Sequence, residues 1–349
     1  MWLNDSAHLL LPVKQVTLFI SSNAMGTSCE HLMNCSETEN AGAVREILRE
    51  AGFKVSQRCS SRPSCFDFAA KKDNVAILVK LHSDIDTFCP SDAYELRAIA
   101  EHVSATSLLI GMKTREKLLE DDAVYSRYAV SVVTSKTFEN IVFRGAFPLI
   151  HAGPGGYYVE IDGEAVRRRR QELGYSIGKV AEMAGISRRT LYGYERGMAE
   201  ASVTSAYNLA KALGLPVAKP INIFGRSGGR RQRFLVKARQ AISGNTLLSK
   251  IFRKFAACDI TSVRKAPFDF VISAPDEKAV IVGGIATSKE LKLDRRVDEI
   301  VSVSEIVGAH PVLVTEGRKP PNKHIPCICE EALAKIRTPE DLILNLNIR

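Results

Sequence analysis

Residues 173–197 read LGYSIGKVAEMAGISRRTLYGYERG, and this stretch decides the fold. Its helix boundaries are spelled out residue by residue. Gly174 stops one helix, and Ser176 is placed to accept from the free amides of a second, Ile177 to Ala184, whose Val180 and Ala181 face inward. Gly185 follows where a tight turn between steeply crossed helices needs a positive φ, with Ile186 as an apolar plug beneath it. Ser187 then caps a third helix, Arg188 to Arg196, which ends at Gly197. Leu191 and Tyr194 lie on its buried side, and Arg188, Arg189 and Tyr192 point outward.

Working outward, Asp162 caps a helix running to Leu173 with Val166 and Leu173 on its apolar face and Arg167 to Arg170 around it. A fourth helix, Ser202 to Leu213, ends at Gly214 and closes a bundle of four or five helices with Leu209 and Leu213. Over Glu160 to Leu215 this pattern resembles the XRE family of helix-turn-helix regulators, with the lambda-repressor-like fold. With Gly153-Pro154-Gly155-Gly156-Tyr157-Tyr158 and its flanking segments, the chain is similar to the archaeal subgroup of that family.

The resemblance implies that the start of the third helix faces double-stranded DNA, and that Ser176, Ser187, Arg188, Arg189, Thr190, Tyr192 and Gly193 form the contact surface. Arginine suits this place because it can bond bidentately to guanine O6 and N7 in the major groove. The resemblance also implies a buried structural ion pair, Arg170 with Glu195, tying the first helix to the third. Two positions depart from the family pattern. Ile177 stands where Gln often contacts a phosphate, and Gly193 where a base-contacting side chain is frequent, which shifts readout toward Arg188 and Arg189.

The flanks of this module resemble each other. Phe66-Asp67-Phe68 precedes the apolar run Val75 to Val79, and Phe268-Asp269-Phe270 precedes Ala279 to Val282. Helix-like segments stand upstream of both, at Val44 to Arg49 and at Leu248 to Arg253. Downstream, Glu101 and Val103 lead into Leu108-Leu109-Ile110 as Glu305 and Val307 lead into Val312-Leu313-Val314. Val130 to Val133 before a short helix parallels Ile325 to Ile328, which places Cys327 and Cys329 at strand positions. Continuous apolar runs between amphipathic helices indicate strands buried on both faces, hence two related α/β domains with mixed sheets.

The first flank is similar in outline to the restriction-endonuclease-like fold, in which an Asp and a second acid hold magnesium beside a catalytic Lys. Asp67 and Lys80 match that outline, but the second acid should stand two before the lysine, where this chain has Leu78. In the second copy Asp269 remains and the lysine position falls on Val282 or Gly284. Both copies are therefore expected to be degenerate, with no catalytic residues and no metal or other cofactor. Their expected roles are binding, dimerisation or sensing, the last with room for a small-molecule effector. Gly153 to Gly156 lacks the Gly-Lys-Ser of a phosphate loop, and His82, His102 and His310 are scattered packing or surface residues.

The chain has 349 residues, a formal net charge of +9, 45% hydrophobic and 25% charged residues. This composition excludes a disordered or membrane-spanning class and favours a polyanionic partner. Eight cysteines in so long a chain fit reduced thiols rather than a disulfide framework, and Cys29, Cys35, Cys59 and Cys65 lack zinc-knuckle spacing. No basic segment precedes the apolar stretch His8 to Ile20, so cytoplasmic localisation is expected, with Met25 or Met33 as alternative starts.

The domain expectation is an N-terminal extension over 1–40, disordered or preceding the true start, and an inactive nuclease-like α/β domain over 41–150. The helix-turn-helix follows at 158–215. A basic linker at 216–240 with six basic and no acidic residues between Arg226 and Arg239 leads to a second α/β domain at 241–349. The expected function is that of a non-enzymatic, sequence-specific DNA-binding transcriptional regulator acting as a homodimer, with no membrane partner. A nuclease targeted by the helix-turn-helix and a non-catalytic, antitoxin-like interaction protein are the two alternatives.

Overall fold

A computed structural model of the protein describes residues 37–115, 117–225, 246–256, 258–273, 279–286, 292–315, 325–336 and 341. The N-terminal extension up to residue 36 and the basic segment 226–240 lie outside the described residues. In helix α1 (Glu37–Glu50), Val44 and Leu48 fall one turn apart and are both fully buried. Strands β1 (Lys54–Val55), β2 (Phe68–Lys72) and β3 (Val75–Asp84) form an antiparallel run. Helix α2 (Pro90–His102) buries Leu96 and Ile99 and returns the chain to β4 (Thr106–Lys113), which pairs parallel to β3. Consecutive residues Ile77, Leu78 and Val79 are all buried, the mark of a strand covered on both faces.

Next along the chain come β5 (Ala123–Arg127), β6 (Val130–Val133) and α3 (Ser135–Arg144), the last capped by Thr134 and ended at Gly145. A hairpin of β7 (Ile150–Gly153) and β8 (Gly156–Val159) follows, turning through Pro154 and Gly155. Then come helices α4 (Gly163–Glu172), α5 (Ile177–Ala184) and α6 (Arg188–Glu195), the short strand β9 (Ala201–Ser202) and α7 (Val203–Leu213). Strand β9 pairs with β8, and Ile150 and Val159 of the hairpin share one core with Val166, Val180, Leu191, Leu209 and Leu213. The helices and the hairpin are thus one packed body.

The last third repeats the first. Helix α8 (Thr246–Lys254), β10 (Asp259–Ser262), β11 (Phe270–Ser273) and β12 (Val280–Ala286) follow in the order of α1 to β3, again antiparallel. Helix α9 (Leu293–Val307) then leads to β13 (His310–Thr315), parallel to β12. Strand β14 (Cys327–Cys329), carrying the two cysteines, runs into the short helix α10 (Glu330–Lys335). Its five strands lie in the order β10-β11-β12-β13-β14.

By contacts the chain divides into two compact units. Among the described residues, one holds 117–126 and 131–223, and the other holds 37–115, 127–130 and those from 224 onward. Within the second unit the two repeats clasp each other reciprocally. The carboxylate of Glu95 on α2 accepts from the amides of Arg264 and Lys265 at 3.0 and 2.8 Å. At the corresponding place on α9, Glu299 accepts from the amides of Ser60 and Ser61, both at 2.9 Å. Phe66 and Phe268, which open the two duplicated motifs, meet with ring centroids 6.2 Å apart.

Candidate nucleic-acid interface

Each helix of the central module begins and ends where its sequence says it should. Asp162, Ser176, Ser187 and Ser202 all accept from a backbone amide three residues on, satisfying a donor that the first helical turn leaves free. Gly185 has a φ of 67°, the left-handed conformation in which an L side chain is strained, so the turn from α5 to α6 depends on it. Leu191 and Tyr194 sink into the core. Burying that face leaves the opposite face of α6 to solvent.

The exposed face carries the expected arginines. Ser176, Ile177, Gly178, Arg188, Arg189 and Tyr192 line one concave surface formed by the first turns of α5 and α6. Arg188 and Arg189 are exposed, and among the described residues neither has an acidic partner. Tyr192, 45% exposed, stacks under the Arg196 guanidinium at 4.7 Å. Of the remaining expected residues, Ser187 and Thr190 share a hydrogen bond of 2.7 Å, and Gly193 faces the Ala199 side chain. Ser176 spends its hydroxyl on the amide of Lys179 at 3.1 Å. The surface is electropositive because two helix N-termini and two free guanidinium groups meet there and neither helix has an acid in its first turn.

Arg170 and Glu195 lie where the ion pair is expected. Nε and Nη2 of the guanidinium donate to Oε1 and Oε2 of the carboxylate at 2.6 and 2.9 Å, a two-pronged bond. A third donor, Nη1, reaches the carbonyl of Tyr175 at 3.1 Å. The hydrogen bond to Glu195 pushes the Arg170 pKa further up. One of the four arginines of α4 is therefore scaffold, and Arg169 is also engaged, with Glu172 and the carbonyl of Leu213.

The duplicated acids form a second candidate centre. Oδ2 of Asp67 accepts from the amide of Leu81 at 2.9 Å and faces Lys80 Nζ at 3.4 Å, while Oδ1 faces Arg58 at 3.5 Å. Leu78, on the same face of β3 as Lys80, is fully buried and offers no oxygen. In the second repeat, Oδ2 of Asp269 accepts likewise from the amide of Ile285, and Gly284 takes the register of Lys80. The cation there comes from α9. Arg296, with no exposed surface, bonds to Asp269 and to the carbonyls of Pro267 and Ile285, and Arg62 of the first repeat reaches Asp269 Oδ1 at 2.7 Å. A divalent cation does not fit either acid. Each carboxylate already faces two side-chain cations and a backbone amide, and no second carboxylate stands at the position where such a metal would need one.

The pattern of a PD-(D/E)XK superfamily domain matches residues 37–148, and that of a helix-turn-helix matches residues 166–219. A protein of Pyrococcus furiosus, provisionally named an HTH-type transcriptional regulatory protein, is 30% identical over 303 residues, spanning 86% of this chain and 94% of its own. Proteins of Methanosarcina barkeri and Methanococcus maripaludis with the same provisional name are each 31% identical, covering 78% and 85% of this chain and 85% and 94% of their own. Among solved structures, the SinR protein/SinI protein complex matches 27% of this chain and 90% of its own at 19% identity, with a TM-score of 0.15.

Fold and family patterns together define a protein with an XRE-type helix-turn-helix and a PD-(D/E)XK superfamily domain. More narrowly, the chain belongs to the family of archaeal HTH-type transcriptional regulatory proteins. No helix among the described residues is long and apolar enough to cross a membrane.

Three functional features escaped the sequence reading. The contact of Arg188 with Gly178 and the exchange of Glu95 and Glu299 join residues far apart or on different helices, and no local pattern signals them. Arg296 did leave a trace. It interrupts the apolar stripe Leu293, Val297, Ile300 and Val303 of α9, and a cation on a buried stripe has to find a partner.

Proposed function

We propose that this protein is a sequence-specific, double-stranded DNA-binding transcriptional regulator that lays α6 in the major groove. The observation that supports this best is the concave surface where Arg188 and Arg189 stand exposed and free of acids at the capped start of a helix whose other face is buried. One such module makes few base contacts, so the protein acts as a homodimer on half-sites about 34 Å apart. The expected result is that a duplex enriched from a random pool by the full-length protein is discriminated from random DNA. Arg189→Ala should reduce that discrimination by about 1–3 kcal/mol without lowering the melting temperature. A folded Arg189→Ala protein that keeps full discrimination overturns the assignment.

The nuclease-like repeats serve as a non-catalytic scaffold or sensing body. Leu78 and the cations on Asp67 and Asp269 support this reading over cleavage. Purified protein should leave duplex, nicked and branched DNA intact in magnesium or manganese. Cleavage that disappears in Lys80→Ala would contradict it and restore the nuclease reading.

A further inference from the structure

The two exposed arginines of α6 are not equivalent in their surroundings. A methyl group added at Gly178, the second residue of α5, would lie 2.9 Å from Nε, 3.1 Å from Cζ and 3.2 Å from Nη2 of Arg188. The guanidinium therefore packs against the backbone of α5, in the space that any other residue at 178 would fill. Arg189 is not among the nearest neighbours of Gly178 or of any other glycine in the described residues.

This seat is electrostatically unfavourable on its own. The start of a helix carries the positive end of its dipole, and a guanidinium laid on it is repelled unless an anion bridges the two. Helix α4 begins with Asp162 and Glu164, whereas α5 and α6 have no acid in their first turns. Arg188 thus waits beside two positive helix ends for a negative group from outside the chain. In a duplex docked along α6, the groups reached from α5 are backbone phosphates, not base edges.

We propose that Gly178 is a positioning residue that seats Arg188 on the first turn of α5 and so assigns it to a DNA phosphate, leaving Arg189 as the base-reading arginine of α6. The inference rests on the DNA-binding reading above. Arg188 then contributes affinity for any duplex, and sequence preference resides in Arg189 and its neighbours.

The test uses the full-length protein with Gly178→Ala, Arg188→Ala, the double variant and Arg189→Ala. The probes are the enriched duplex and a fixed random duplex of equal length. Gly178→Ala should melt at or above the parent temperature, because alanine is the better helix former and the displaced atoms end a flexible side chain. Its affinity should fall about tenfold on both duplexes alike. The slope of log K against log salt should drop by about one, and the double variant should bind no more weakly than Arg188→Ala.

Unchanged affinity in Gly178→Ala overturns the proposal, as does a loss that adds to that of Arg188→Ala, or a lowered melting temperature. Lost preference in Arg188→Ala at an unchanged salt slope also overturns it, by making that arginine a base reader. Failure of the underlying reading has a different signature, since Arg189→Ala would then keep full discrimination whatever residue 178 does.

Discussion

Arg296→Ala is expected to destabilise the second repeat by about 3–5 kcal/mol, the range for breaking a buried ion pair by removing one partner. The side chain has no solvent exposure, and its donors reach Asp269 and the carbonyls of Pro267 and Ile285. Truncation leaves two carbonyls without their side-chain donor and opens a void beside Gly284, where Ile300 and Leu313 also converge. Arg62 and the amide of Ile285 still hold Asp269, so the acid alone does not set the cost. Urea unfolding followed by hydrogen exchange at 280–286 measures it. Arg296→Met with Asp269→Asn should recover much of the loss, since apolar or neutral replacements remove the charge together with its desolvation. A loss under about 1 kcal/mol in Arg296→Ala would show that the guanidinium is dispensable to packing.

Helix boundaries in the central module were legible because capping is local chemistry. The N-caps Asp162, Ser176 and Ser187 can be read from one side chain and the amides beside it, and all three engage as expected, while Ser202, read as the first residue of the fourth helix, caps it instead. The duplication was legible for a different reason. Two apolar runs behind two Phe-Asp-Phe motifs repeat the same order of elements, and order survives where identity does not.

What was not legible is which core each segment joins. The sequence reading ends the first α/β domain at 150, close to the end of the matched superfamily domain at 148, while contacts group residues 131–149 and the hairpin of β7 and β8 with the helices. Alternation along a strand tells which face is apolar, not what will cover it. The clasp between the repeats is hidden for the same reason. Glu95 and Glu299 look like ordinary charges on amphipathic helices, and only the tertiary structure shows Glu299 with its side chain 1% exposed and bonded to a distant loop. That clasp also bears on chemistry, because it carries Arg62 of one repeat to Asp269 of the other. The two repeats are mutually braced, and cations stand beside the acid of each.

Glu195→Ala is expected to cost about 3 kcal/mol in the helical unit, near the lower end for a broken buried pair, because Arg170 is still 12% exposed against 6% for Glu195. The bond joins α4 to the last turn of α6, and without it Arg170 keeps, among the described residues, the carbonyl of Tyr175 as its acceptor. Arg170→Ala removes that contact as well and strands the carboxylate, so it should cost at least as much. On the proposed reading, both variants should lose DNA binding in proportion to unfolding, on specific and random duplexes together, since α6 would no longer be held in place. On the proposed reading, Arg189→Ala should behave oppositely, with unchanged melting and lost preference. Hydrogen exchange in α4 and α6, run beside binding isotherms on both duplexes, separates the two classes. A Glu195→Ala protein with parental exchange protection and lost preference would move Glu195 from the scaffold to the reading surface.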